Sequence, residues 1–307
     1  MFDLHFHSDA SDGEADFTTV CTVVAAHPEI AALALTDHDA IAASIALAAR
    51  DARAWVGAEL TAYTGEVRID ILGLNLRPDH DELNAYLSAR VASRRARFLL
   101  LGDLLRAGGW AFDPDEATLS APQLGQPHVA RELRRQSANH ARLRQAGLSC
   151  DEASARAQND GHDAIYDVLL RPLMPQIRRQ TEEDVATSAA MIGLVHRAGG
   201  LAFVAHPWIE PYDFGRRDRT VARAMIAALA AAGLDGLERW HPDQVEGAVG
   251  RELARACRTH GLLSSAGSDD HRADLAAFGT ALPAGIDGRP YLARLREAAQ
   301  ARRSITG

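Results

Sequence analysis

Residues 2 to 7 alternate apolar and polar, with Phe2, Leu4 and Phe6 set against Asp3, His5 and His7. A period of two predicts a half-buried strand and puts His5 and His7 on one face. Ser11-Asp12-Gly13 then predicts a turn. Asp16 can cap a helix running to about His27, with Val20, Val23 and Val24 at core spacing. Ile30 to Leu35 predicts a short strand ending in Thr36-Asp37-His38-Asp39, and an alanine-rich helix follows to about Arg53. Trp55 to Ala58 predicts another strand, ending in Glu59. Val67 to Leu74 alternates and predicts one more, with Asp70 inside it.

The pattern then changes. Asp79 to about Ala107 is one long helical repeat, Gly108-Gly109 breaks it, and Pro114, Pro122 and Pro127 punctuate a loop. His128 to Arg135 resumes helix, and no strand pattern stands out before about residue 180. Thr181 with Asp184 resembles a capping box opening a helix to about Arg197. Strand–helix alternation returns with Leu201 to Ala205 before His206-Pro207, then a helix from about Thr220 to Ala232. Gly236 to Arg239 leads into Trp240-His241-Pro242, a helix runs to about His260, and Leu262 to Ala266 leads into Gly267-Ser268-Asp269-Asp270-His271. A terminal helix closes near Arg303. The alternation predicts an α/β chain over residues 1–80 and 181–307, with a helical insertion over 81–180.

Composition adds limits. With 307 residues, 47% apolar and 24% charged, the chain reads as an ordinary globular protein of one or two domains. No apolar run is long enough to span a bilayer, and no basic-then-apolar leader is evident, so the expected location is cytoplasmic. Cys21, Cys150 and Cys257 are too few and too far apart for a disulfide framework or a thiolate zinc site. Net charge is −8, yet Ala89 to Gly147 carries ten Arg against five Asp or Glu. Such a basic segment suits an anionic ligand, or else a solvated arginine face on a helix.

Chemistry gathers at the strand ends: His5 and His7, His38, Glu59, His206, His241, and Asp269 with His271. Each alone has a plain structural explanation, such as a helix cap or a satisfied core histidine. Together they do not, because in a barrel all strand C-termini face one cup. Several borderline-to-hard ligands without a thiolate predict a Mn, Fe, Zn or Mg cluster.

Asp-Leu-His-x-His-Ser-x-x-Ser-Asp-Gly from Asp3, Thr-Asp-His-Asp from Thr36, Gly-x-Glu ending at Glu59, Ala-His-Pro from Ala205 and Gly-Ser-Asp-x-His from Gly267 follow in order. The set resembles the PHP (polymerase and histidinol phosphatase) family. Ile71-Leu72-Gly73-Leu74-Asn75 and Pro127-His128-Val129-Ala130-Arg131 are similar to its subgroup of nucleoside 3′,5′-bisphosphate phosphatases and 5′-to-3′ exoribonucleases. The resemblance implies a distorted (β/α)7 barrel with two or three divalent ions, Mn²⁺ first and Fe²⁺, Zn²⁺ or Mg²⁺ as alternatives. One ion would take His5, His7, Glu59 and Asp269, a second Asp12, His38 and His271, and a third Glu59, His206 and Asp70. Asp70 stands where close relatives often carry His. The insertion reads Leu170-Arg171-Pro172 in place of an expected phosphate-binding stretch, retaining Arg171.

The implied reaction is attack of a metal-bridging hydroxide on a phosphate ester, with the 3′-phosphate of a nucleoside 3′,5′-bisphosphate leaving AMP from the adenosine substrate. Short RNA trimmed from its 5′ end is a second substrate class. His241 and His128 are the candidate acids for the leaving group, and Arg131, Arg135, Arg171 and His128 the candidate phosphate contacts, since Arg forks match phosphate. The runner-up is histidinol-phosphate phosphatase, which leaves the basic insertion without a role. Amide or phosphonate hydrolysis on a carbamylated lysine is excluded, because the chain contains no Lys. A degenerate, non-catalytic metal-binding module is disfavoured by the filled ligand positions. The acidic balance and the lack of a reader motif argue against DNA recognition, and nothing suggests a membrane partner.

Overall fold

The computed structural model describes residues 1–65, 67–121, 123–151, 164–181, 185–207, 219–242 and 247–306. The chain divides into two compact units, Met1–Leu87 with Val185–Gly307, and Ser88–Asp184.

The first unit holds the strands. They are β1 (Asp3–Phe6), β2 (Leu33–Leu35), β3 (Gly57–Thr64), β4 (Val67–Leu74), β5 (Leu201–Val204), β6 (Gly236–Trp240) and β7 (Leu263–Ala266). β1 and β2 pair in parallel as a two-stranded sheet, and β3 to β7 form a five-stranded sheet in chain order. Within it β3, β4 and β5 run antiparallel and β5, β6 and β7 parallel. Isolated parallel bridges, Phe6 to Asp270, Leu33 to Ala54 and His38 to Glu59, link the two sheets. The architecture is α/β.

Helices cover the strands: α1 (Phe17–Ala26) and α2 (Ala42–Ala48), and, after the second unit, α8 (Ser188–Arg197), α9 (Arg219–Ala231), α10 (Gly247–His260) and α11 (Arg289–Thr306). Asp16 caps α1 as expected, its carboxylate accepting from the Thr19 N–H at 2.7 Å. The core follows the strand period. Ala58, Leu60 and Ala62 of β3 and Ile69 and Ile71 of β4 pack with Met191, Ile192 and Val195 of α8. Phe6 packs with Val20, Val24, Leu33 and Leu35. Each such large side chain removed from water is worth about 1.5–3 kcal/mol.

Two expectations change. β3 does not stop at Ala58: it continues to Thr64, so Glu59 lies inside a strand. Glu59 and Thr61 resemble strand breakers by polarity, but they alternate with Ala58, Leu60 and Ala62 and occupy the opposite face from that core. The predicted capping box also fails. Thr181 ends α7, Asp184 lies outside the described residues, and Thr187 caps α8 by accepting from the Ala190 N–H at 3.3 Å.

The second unit is helical among its described residues. α3 (Asp81–Ala107) carries the chain into it, followed by α4 (Glu116–Leu119), α5 (Gln126–Arg135), α6 (His140–Gln145) and α7 (Met174–Thr181). Its own core joins Phe98, Leu101, Leu105, Phe112, Val129, Leu133 and Ile177. Among the described residues, no helix is long and apolar enough to cross a membrane.

Candidate metal centre

β1 delivers His5 and His7 to one face, both fully buried, while Leu4 and Phe6 point into the apolar clusters on the other. Their Nε2 atoms lie 3.1 Å apart. Glu59 Oε2 sits 3.3 Å from His5 Nε2 and 3.2 Å from His7 Nε2, and Asp269 Oδ1 sits 3.2 Å from each. Five of the six separations among these atoms lie between 3.1 and 3.3 Å, and the four residues form a group that could hold one metal ion.

A second group, His7, Asp12, His38 and His271, lies alongside. Asp12 Oδ1 is 3.2 Å from His271 Nε2, and Asp12 Oδ2 is 3.5 Å from His38 Nε2. The turn bearing Asp12 is held by Asp37, whose carboxylate accepts from the Ser8 N–H and from the Ser8 and Ser11 hydroxyls, each at 2.8 Å. Gly13 closes that turn where a Cβ would lie 2.8 Å from the backbone of His7 and Ser8. His7 is common to these two groups, and Glu59 faces two more rings: Oε2 also sits 3.2 Å from His38 Nδ1, and Oε1 is 3.1 Å from His206 Nε2. His38, Glu59 and Asp70 make the third group, so His38 stands beside Asp70 where His206 was expected, and His206 meets the cluster through Glu59. His241 Nε2 lies 3.2 Å from the other oxygen of Asp269, Oδ2, with His241 almost fully buried.

Three non-glycine residues here, Asp39, His206 and Asp269, adopt positive φ of 50°, 28° and 50°. Such strain collects where side chains must be re-aimed at a site.

The donors fit a cation. His38 Nδ1 and Asp269 Oδ1 are buried without a hydrogen-bond partner although charged groups stand 3.2 Å away. Each belongs to a group that could hold an ion, and ligation would satisfy it. Without ions the cluster holds protons instead. Burial opposes charge on His7, but Asp269 and Glu59 outweigh it and lift its pKa to about 10. Burial likewise opposes charge on His5, and Glu238, Glu59 and Asp269 overcome it. Burial also opposes charge on Glu59 and on the partly exposed Asp12 and Asp269, yet the surrounding imidazoles hold all three well below the usual carboxylate range. Ligation requires neutral rings, so Mn²⁺ uptake at pH 8 releases at least about one proton per chain, and affinity rises with pH toward 10. Calorimetric titration in buffers of different ionisation enthalpy checks this; heats independent of buffer would contradict it.

Sequence reasoning missed Glu238. Fully buried, it accepts from His5 Nδ1 at 2.9 Å and from the His206 N–H at 2.7 Å. A carboxylate on that nitrogen leaves Nε2 deprotonated and turned to the centre. The available signal was an acid between Leu237 and the Arg239-Trp240 end of a short strand. Gly267 was read only as part of a motif; a Cβ there would overlap both His5 Cβ and Glu238 Oε1.

The insertion residues lie in the second unit. His128, Arg131 and Arg135 share one side of α5 at i, i+3 and i+7. His128 Nδ1 accepts from the Gly125 N–H at 3.2 Å, closing the first turn of the helix. Arg135 is committed locally, donating to Glu132 at 2.8 Å and to the Asp113 carbonyl at 2.6 Å. Arg171 is exposed and pairs with Asp167 at 2.7 Å.

No family model matches the chain. A 3′,5′-nucleoside bisphosphate phosphatase from Chromobacterium violaceum is 30% identical over 276 residues, covering 88% of this chain and 86% of that protein. A 5′-3′ exoribonuclease from Haemophilus influenzae is 30% identical over 277 residues, covering 88% and 89%. Among solved structures, an amidohydrolase from Chromobacterium violaceum with bound sulfate superposes with a TM-score of 0.65 at 26% identity, over 98% of this chain and 96% of that one. At 30% identity over 88% of its length, the chain belongs with these relatives to the PHP family of metal-dependent phosphoesterases.

Proposed function

We propose that this phosphoesterase removes the 3′-phosphate of nucleoside 3′,5′-bisphosphates, leaving the 5′-monophosphate, and trims short RNA from its 5′ end with the same centre. The observation that carries the reading is the buried set of His5, His7, Glu59 and Asp269, with His7 shared by the neighbouring group of Asp12, His38 and His271. The names of the two relatives, one a bisphosphate phosphatase and one an exoribonuclease, support the substrate classes.

The strands of the first unit are read as a distorted (β/α)7 barrel, and Arg131, Arg135, Arg171 and His128 of the arginine-rich second unit as candidate phosphate contacts. Divalent ions, Mn²⁺ first, would be held by His5, His7, Asp12, His38, Glu59, Asp269 and His271; when bound they supply hydroxide near neutral pH and screen phosphoryl charge. His206 and Glu238 fix the orientation of Glu59 and His5. His241, buried beside Asp269, is placed to give the leaving 3′-oxygen a proton from its ring.

Phosphate release by Mn²⁺-loaded protein tests the reading with adenosine 3′,5′-bisphosphate, AMP and histidinol phosphate at equal concentrations. The bisphosphate is expected to be hydrolysed fastest, with AMP left over. Preference for histidinol phosphate would overturn the substrate assignment. His241→Ala is expected to slow the bisphosphate by on the order of 10²-fold, a common contribution of general acid catalysis. The same variant should slow 4-nitrophenyl phosphate far less, because that leaving group needs no proton. Equal losses on both substrates would rule out the acid role.

A further inference from the structure

Arg68 and Asp70 stand two residues apart on β4, so their side chains share a face, opposite Tyr63 and Thr61 of β3. Asp70 is buried and belongs to the third group with His38 and Glu59. Its carboxylate is already occupied. Arg68 Nη2 lies 2.8 Å from Oδ2 and 3.1 Å from Oδ1, astride the carboxylate bisector where a bidentate cation would sit. Glu59 is engaged on both sides by His5, His7, His38 and His206, which leaves Asp70 as the only carboxylate of the third group not shared with another.

We propose that the Arg68 guanidinium is a resident cation of this centre, taking the position of a third ion and limiting the protein to two divalent ions per chain. The proposal rests on the reading of the cluster as a divalent-ion centre. A divalent ion brought to Asp70 would meet the fixed positive charge of Arg68 with one carboxylate between them, and like charges at that separation repel strongly in a partly buried site. An arginine cannot relieve the repulsion by losing a proton. The consequence differs in kind from a site merely lacking a ligand: the cation is supplied by the chain, is present at every metal concentration, and chelators cannot strip it.

The test counts ions. Protein loaded with excess Mn²⁺ and desalted is analysed by plasma mass spectrometry, and crystals of the same sample by anomalous scattering from manganese. Wild type is expected to hold two ions per chain. Arg68→Ala should hold three, the third beside Asp70, and Arg68→Lys, which keeps the charge, should stay at two. Three ions in wild type, or two in a folded Arg68→Ala, would overturn the proposal. No bound ion in wild type would overturn the ion-centre reading itself. Two ions in a protein inactive on every phosphate ester would instead leave the Arg68 assignment standing while the proposed substrate falls.

Discussion

Replacing Glu59 by Gln lowers turnover by on the order of 10³-fold or more, a loss of about 4 kcal/mol in transition-state stabilisation. Glu59 faces four imidazoles at once, His5, His7, His38 and His206. Its Oε2 stands 3.2–3.3 Å from His5, His7 and His38, and its Oε1 3.1 Å from His206. An amide has the same shape but one acceptor and one donor. Whichever way it turns, either the ligand volume or His206 loses its acceptor, and the shared negative charge is gone. His7→Asn should fall as far, since His7 belongs to both main groups and faces Glu59 and Asp269 at 3.2 Å each. The readout is kcat at saturating Mn²⁺, together with ion content and a thermal unfolding curve. Near wild-type rates with full ion content would remove Glu59 from the centre.

Glu238→Gln is expected to weaken ion affinity 10–100-fold, the usual effect of removing a carboxylate behind a ligating histidine. The substitution is close to isosteric, which makes the argument sharp. Two donors converge on this side chain: His5 Nδ1–H at 2.9 Å and the His206 backbone N–H at 2.7 Å. Glutamate accepts both. Glutamine accepts one and turns its own N–H₂ toward the other, a donor–donor clash in a fully buried place. If His5 Nδ1 loses its acceptor, the ring is free to carry its proton on Nε2, the atom needed by the ion. Competition against a fluorescent chelator measures the shift. Unchanged affinity in a folded variant would show that His5 is oriented by something else.

Gly267 ties these side chains together: with any Cβ there, His5 and Glu238 could not both keep their places. Its requirement is invisible along the chain, since a glycine after β7 also reads as an ordinary loop residue. The cap of α8 teaches the same point. Thr181 and Asp184 have the right spacing for a capping box, and so local chemistry selects them, but the helix starts at Ser188 under Thr187. Thr187 is placed there by its bridge to Tyr63 at the end of β3, a partner more than a hundred residues away.

What the sequence by itself determined are the features with a local cause. The period of two in residues 2 to 7 puts His5 and His7 on one face, apolar runs ending in His, Asp or Glu mark the strand ends, and the helical stretch between Asp79 and residue 180 is set apart by its period and its arginines. Motif order did the rest, because residue type and spacing survive divergence even at 30% identity. Tertiary structure alone decided that Glu59 lies within a strand and touches both groups, that Glu238 backs His5 and His206, and that Arg68 sits on Asp70. Those outcomes depend on strand register, where a slip of one residue turns every side chain to the other face. Much of that register is set between segments far apart in the chain, such as Leu72 against Phe203, and no single stretch of sequence records it.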